Sequence, residues 1–497
     1  MSDTTVVEPE GLDDPRPVPQ PATRPRKKPS GGLFRAFWRW HFYASFLVIP
    51  VLLMLASTGL VYLLRFQIEP LLHADLMKVD VPAGAQRLSY DEQAASLLKA
   101  YPDGRIAAVL EPSDPDRSTD FSLSTAPPGT PSWEDETVRE VYVNPYTGEV
   151  LGELDPSTTV SGYAKELHGS FMAGTTGEYV IELGACWAIV MAITGFYMFR
   201  RTRPARRRAA LARKGAQVAP PAGAPAPGVA LRHRHAKVGP FVGVGLLLLV
   251  VSGLPWTVWW GTKVQELATS QGTSLWSTDP GAQSGAPKLD ASVPHSHNVP
   301  WGEGKTEVPR SDVGASGARQ VGIDAAVATA DRAGLNHPMT VIPPADEKGV
   351  YSVIGYAFNE PGHEATVHVD QFTGKVVSEF GYDQYGAVAK VVGQGIALHE
   401  GRRFGTANMI LSGAFCVAVI FMCLTGPLMW WRRRPKGRVF AAPRGRLTWK
   451  TGPGAVVGLV ALGLFLPLFG ASVVAVLALD QLVLRRVPAL REFFNVS

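Results

Sequence analysis

Residues 39–64 read RWHFYASFLVIPVLLMLASTGLVYLL, an apolar run with a histidine near its start and STGL near its end. A helix needs about 20 such residues to cross ~30 Å of hydrocarbon, so the stretch reads as a membrane span. Three more runs qualify, at 179–199, 238–260 and 407–431. A fifth, 454–484, exceeds one perpendicular crossing and is interrupted by Pro467 and Gly470. It reads as one kinked, tilted helix in preference to a short re-entrant pair.

Composition agrees. Of 497 residues 46% are hydrophobic and 18% charged, against the ~25% charged expected of a soluble globular chain. That excludes a purely cytosolic enzyme, a disordered scaffold and a small disulfide-stapled secreted domain. Cys186, Cys416 and Cys423 all lie in apolar runs, which argues against a disulfide framework and against Cys-rich zinc or iron–sulfur sites. The net charge of +5 is a topology signal, not a nucleic-acid one. Residues 200–237 hold eleven Lys/Arg and no acid, and 432–450 hold eight and no acid, whereas 66–165 and 261–400 are rich in acids. By the positive-inside rule the N-terminus and both basic loops are cytoplasmic, and the two long segments lie outside. Residues 1–30, rich in Pro and charge, read as a disordered tail without a cleavable signal peptide.

The chain also repeats itself. VYVNPYTGEV at 141–150 and VHVDQFTGKV at 367–376 are β-hairpin patterns, each preceded by a helical stretch beginning at Asp91 or Ile323. KELHGSF around His168 leads into a span ending GFYMFRR, and ALHEGRRFG around His399 into one ending GPLMWWRRR. His168 precedes Gly195 by the interval that separates His399 from Gly426, and His41 precedes Gly59 by the interval from His235 to Gly253. The expected fold is an α-helical integral membrane protein of about five transmembrane helices, internally duplicated, with two small α+β outer domains. Its parts are a tail (1–34), first span (35–66), first outer domain (67–160), second span with a histidine-bearing lead-in (161–201), basic linker (202–231), third span (232–262), second outer domain (263–388), fourth span with lead-in (389–433), basic loop (434–452) and kinked C-terminal segment (453–497).

Four of eleven histidines stand at span ends as two repeat-related pairs. His41 and His235 fall at cytoplasmic ends, His168 and His399 at outer ends. A lone histidine there is more often an interfacial anchor or helix cap than a ligand. Yet an ionisable group in a span is a functional-site hypothesis, and imidazole is an axial ligand of haem iron. Halves facing each other across a pseudo-twofold would pair His41 with His235 and His168 with His399. His233 competes with His235, but only His235 keeps the repeat register. Gly59, Gly195, Gly253 and Gly426 read either as places of close approach to a macrocycle or as helix packing. His295 and His297 in PHSHNVPW form a weak metal signal.

The duplicated plan, the N-P-x-T-G-x-V hairpin and the LHG/LHEG lead-ins resemble the PepSY-associated transmembrane family of bacterial inner-membrane proteins, over about residues 35–435. Members include haem-containing ferric-siderophore reductases and iron-regulated membrane proteins. The resemblance implies two PepSY-like outer domains and two b haems, with His41, His235, His168 and His399 as iron ligands. Arg39, Arg402 and Arg403 are candidate contacts for propionates or substrate. The implied partners are a cytoplasmic or quinol electron donor, a ferric siderophore or other extracytoplasmic acceptor, and membrane lipid, with no nucleic acid. The alternative is a non-enzymatic, membrane-anchored PepSY module that binds or inhibits proteases.

Overall fold

The computed structural model describes residues 32–127, 137–215, 228–270, 289, 299–304, 306–311, 319–355, 358–432, 442, 447–450 and 452–494. The tail expected at 1–30 and the pair His295 and His297 lie outside them. In chain order the first half comprises α1 (Gly32–Leu63), α2 (Arg65–Leu72), α3 (Ala74–Met77), α4 (Tyr90–Ala100), β1 (Arg105–Leu110), β2 (Thr119–Ser124), β3 (Arg139–Val143), β4 (Val150–Leu154), α5 (Val160–Ser170) and α6 (Gly174–Gly215). The rest comprises α7 (Val229–Gly253), α8 (Val258–Ser270), α9 (Ile323–Arg332), β5 (Met339–Ile342), β6 (Val350–Gly355), β7 (Ala365–Asp370), β8 (Val376–Gly381), α10 (Ala387–His399), α11 (Gly405–Trp431), α12 (Pro453–Phe465), α13 (Pro467–Leu479) and α14 (Pro488–Phe493).

Five helical stretches are long and apolar enough to cross a bilayer: Gly32–Leu63, Gly174–Pro204, Val229–Trp256, Gly405–Trp431 and Pro467–Leu484. The protein is a multi-pass helical membrane protein. α1, α6, α7 and α11 meet around Val48, Ala56, Ala188, Val242, Leu246, Phe415 and Val419. α6 continues to Gly215, into the stretch expected as linker at 202–231. Its RRRAALARK sequence is strongly helix-forming, which carries the helix past the apolar run.

The C-terminal segment corrects the expectation of one kinked helix. It breaks at Leu466 between α12 and α13, and the backbone doubles back so tightly that a Cβ on Gly470 would lie 2.4 Å from the Gly463 carbonyl oxygen. Pro467 offers no N–H to continue the helix, and the two glycines let the arms touch. Both ends of the segment lie at the start of α1. A Cβ on Gly452 would sit 3.0 Å from Leu33, and the Phe494 carbonyl accepts from Arg39 Nη2 (3.3 Å) and Tyr43 OH (3.0 Å). The tip, Leu466 and Phe469, is buried against Cys186 and Val190 of α6. α12, 13 residues long, extends about 20 Å, less than the ~30 Å of a crossing. The segment is thus a helical hairpin whose tip rests on α6.

The outer segments, expected as two small modules, form one eight-stranded sheet in the order β4-β3-β2-β1-β5-β6-β7-β8. β1 and β5 join the halves antiparallel, with Val109 opposite Val341. α4 and α9 cover one face, packing Leu97, Ile323, Ala326 and Ala330 on Val109, Phe121, Val141, Val341, Val353 and Val367. The Thr-Gly turns close as the sequence suggests, with Gly148 at φ +73° and Gly374 at φ +66°, the left-handed region that favours glycine. At the junction each helix caps the other. Asp324 accepts from Tyr90 N and Asp91 N (both 2.9 Å), and Asp91 accepts from Ile323 N (2.8 Å).

A second bond across the junction depends on pH. His337 Nδ1 lies 2.6 Å from Glu111 Oε2, which also accepts from Met339 N. The hydrogen bond to Glu111, helped by Asp331, raises the His337 pKa above its ordinary 6.5. A raised histidine contributes stability that is complete below about pH 6.5 and lost as pH rises through the folded-state value. His337 is half-exposed, so the contribution is small. The thermal midpoint of the sheet domain is expected to fall slightly through that window, and His337→Asn to flatten the dependence.

Candidate functional site: two histidine pairs

α1 and α7 each carry one of the four candidate histidines near their starts. The other two stand on the short helices α5 and α10, which precede the spans α6 and α11. The structure brings His41 to His235, with ring centroids 6.5 Å apart and planes at 88°. It brings His168 to His399 at 6.3 Å and 83°. Two metal–nitrogen bonds of about 2 Å plus two ring radii of about 1.1 Å would place trans imidazoles about 6.2 Å apart on one metal. Both pairs have that spacing. The pairs occupy opposite ends of the bundle: the His168 ring faces Gly59, eighteen residues beyond His41, or about 27 Å of helix. The His168 end is the one that carries the sheet.

Orientation comes from residues that the sequence reading passed over. His168 Nδ1 lies 3.1 Å from Thr58 Oγ1, His41 Nδ1 3.2 Å from Thr194 Oγ1, and His399 Nδ1 3.0 Å from Ser252 Oγ. Each hydroxyl also approaches a carbonyl of its own helix: Met54 at 2.8 Å, Val190 at 2.7 Å and Leu249 at 3.1 Å. A hydroxyl has one proton to donate. With that proton on the carbonyl, the oxygen accepts from the histidine, so Nδ1 carries the ring hydrogen. The Met191 carbonyl, 3.1 Å from His41 Nδ1, can only accept and demands the same tautomer. In a neutral ring this leaves the lone pair on Nε2, the form in which imidazole binds a metal through that nitrogen.

The glycine after each hydroxyl residue makes room for the ring. A Cβ on Gly195 would lie 3.1 Å from His41 Cε1, on Gly59 3.2 Å from His168 Cε1, and on Gly253 3.4 Å from His399 Cε1. These three glycines approach imidazole rings, a contact that neither of the two readings for them named. The signal was in the sequence, as a Ser/Thr-Gly pair inside each of four spans: Thr58-Gly59, Thr194-Gly195, Ser252-Gly253 and Thr425-Gly426. The fourth is the exception. Thr425 donates to the Phe421 carbonyl (2.6 Å), Gly426 faces Ile49, and His235 Nδ1 is buried with no hydrogen-bond partner among the described residues. His235 thus lacks the hydroxyl contact that sets the ring hydrogen on Nδ1 in the other three.

The family model for the PepSY-associated TM region matches residues 38–433. The chain belongs to the PepSY-associated TM family. The match runs from just before His41 to just after α11, so it takes in all four histidines of this family member and the sheet. No curated protein matches it.

The candidate arginines are all engaged within the protein. Arg39 lies two residues before His41, over the Tyr43 ring. Arg402 is buried, bonded to Glu400 (2.7 Å) and the Phe358 carbonyl, and Arg403 binds Gln394 and Glu360. All three thus have protein partners, Arg39 donating to the Phe494 carbonyl (3.3 Å). Ser252→Ala removes the acceptor for His399 without touching a ring. A metal-held group at that end is expected to bind about 10- to 100-fold more weakly, read by titrating the group back into stripped protein.

Proposed function

We propose that the protein carries two b haems and passes electrons across the bacterial cytoplasmic membrane, from a cytoplasmic or quinol donor to an acceptor outside, a ferric siderophore. The observation that carries this is the pair of histidine couples, at 6.5 and 6.3 Å, at opposite ends of one bundle. His41 and His235 would hold the cytoplasmic group, His168 and His399 the outer one. Haem supplies a one-electron carrier at each place. The chain's share is to fix ring orientation through Thr58, Thr194 and Ser252, and to keep the path inside packed helices. The orientation rests on the basic stretches at 200–237 and 432–450, which set the N-terminus on the cytoplasmic side. The matched intervals between histidines and glycines support an origin by duplication, with the two halves of the sheet as the PepSY-like domains.

A ferric chelate suits such an exit. Hard oxygen donors hold Fe³⁺ far more tightly than Fe²⁺, so one electron per iron releases the metal and leaves the chelator intact. The test is vectorial. Proteoliposomes with a reductant inside and a ferric siderophore outside are expected to release Fe²⁺ to an external ferrous chelator, and His168→Ala vesicles to release none. Equal release from both, or none from the wild type, would overturn the reading.

A further inference from the structure

Two acids lie buried between the sheet and His399 without a part in the account above. Glu303 is wholly buried and accepts hydrogen bonds from Thr366 Oγ1 and from Tyr385 OH (2.8 Å). Glu364, 4% exposed, takes no side-chain hydrogen bond from the described residues. It borders a cavity of about 30 Å³ walled by Trp256, Trp301, Gly393, Ile396, Glu400 and Arg402. That volume holds one water molecule. Gly393, Ile396 and Glu400 belong to the end of α10 and the residue after it, so the cavity abuts the turn that carries His399.

The charged groups facing Glu364 are Arg402 and Glu400, with Glu303 behind it; Glu400 is itself paired with Arg402 (2.7 Å) and Arg65 (3.8 Å). Tyr385 and, beyond it, Tyr382 complete the surroundings. Burial lifts Glu364 to about 7, with Arg402 opposing and Glu400 adding to the rise, and burial lifts Glu303 to about 8. Glu303 is held by two hydroxyl donors, whereas Glu364 faces space for water. A negative charge added nearby in a medium of low dielectric favours the protonated form of such a group.

We propose that Glu364 is a proton-loading site for the redox centre at His168 and His399, taking one proton from sheet-side water when that centre gains one electron and returning it on reoxidation. This rests on the haem reading above. The electron comes from the donor, a quinol or, in the test, dithionite; the proton comes from water; the added negative charge is offset to the extent that Glu364 takes up the proton.

The test is a potentiometric titration of the full-length, haem-loaded protein across about pH 5.5 to 8.5, bracketing a carboxyl that titrates near neutrality. The midpoint of one of the two centres is expected to fall as pH rises. The fall is about 59 mV if reduction raises the proton affinity of Glu364 tenfold. Glu364→Gln should flatten it with haem content unchanged. Reduced-minus-oxidised infrared spectra should show a protonated carboxyl band in the wild type and lose it in E364Q. Wild-type midpoints independent of pH at both centres overturn the proposal without any variant. So does a slope kept in E364Q but abolished by Glu303→Gln. A colourless preparation overturns the haem reading together with this one, and is recognised by its missing Soret band.

Discussion

If each histidine couple holds a haem as proposed, protein with His168→Ala or His399→Ala is expected to retain one haem where the wild type would hold two, and His41→Ala or His235→Ala to remove the other. The structure dictates the grouping. His168 and His399 face each other at 6.3 Å, and the His41–His235 pair lies about 27 Å away along α1. Within one couple the losses should not add, because either ring alone leaves the site with half its ligands. The double variant H168A/H399A should therefore match either single one, whereas H41A/H168A should be colourless. Haem per chain, from the absorbance of the extracted pigment, distinguishes these patterns. A single variant that loses both groups, or neither, contradicts the pairing.

The second large effect comes from a residue that binds nothing. In Gly195→Val the new Cβ would stand 3.1 Å from His41 Cε1, and the added methyls fall closer still. The ring has little freedom to retreat, because Nδ1 is held by the Met191 carbonyl and Thr194 Oγ1. Overpacking of this kind costs about 1–3 kcal/mol and moves the ring off its partner. G195V is expected to lose the haem at His41 and His235 and to keep the one at His168 and His399. Gly426→Ala is the control: its Cβ would meet only Ile49 Cδ1, at 3.7 Å, an ordinary contact. G426A should keep both groups and a wild-type thermal midpoint. Equal loss in the two variants would mean that these glycines serve helix packing alone.

Much of this architecture was legible in the chain. Apolar runs located the spans, because hydrocarbon thickness sets a length that few soluble helices match. The intervals His41–Gly59, His235–Gly253, His168–Gly195 and His399–Gly426 picked out the four histidines and their partners. The hydroxyl residues were equally visible, one position before each glycine, but their role needs three dimensions. Only the structure places Thr58 of α1 against His168 of α5. The β1–β5 pairing was hidden because either strand is compatible with an edge, and only two residue pairs join them. The C-terminal hairpin turned on whether Pro467 bends or reverses the chain, which the contact of Gly463 with Gly470 decides. That His235 alone of the four histidines has no Nδ1 partner among the described residues could not be foreseen, since its sequence context repeats that of its counterparts.

The most direct test of two imidazoles sharing one iron at each end is the low-temperature electron paramagnetic resonance spectrum of the oxidised, detergent-purified protein. Ring planes at 88° and 83° predict two low-spin ferric signals, both of the highly anisotropic kind that near-perpendicular axial imidazoles produce. A high-spin signal as the main species, or a preparation with no haem iron to measure, would contradict the account.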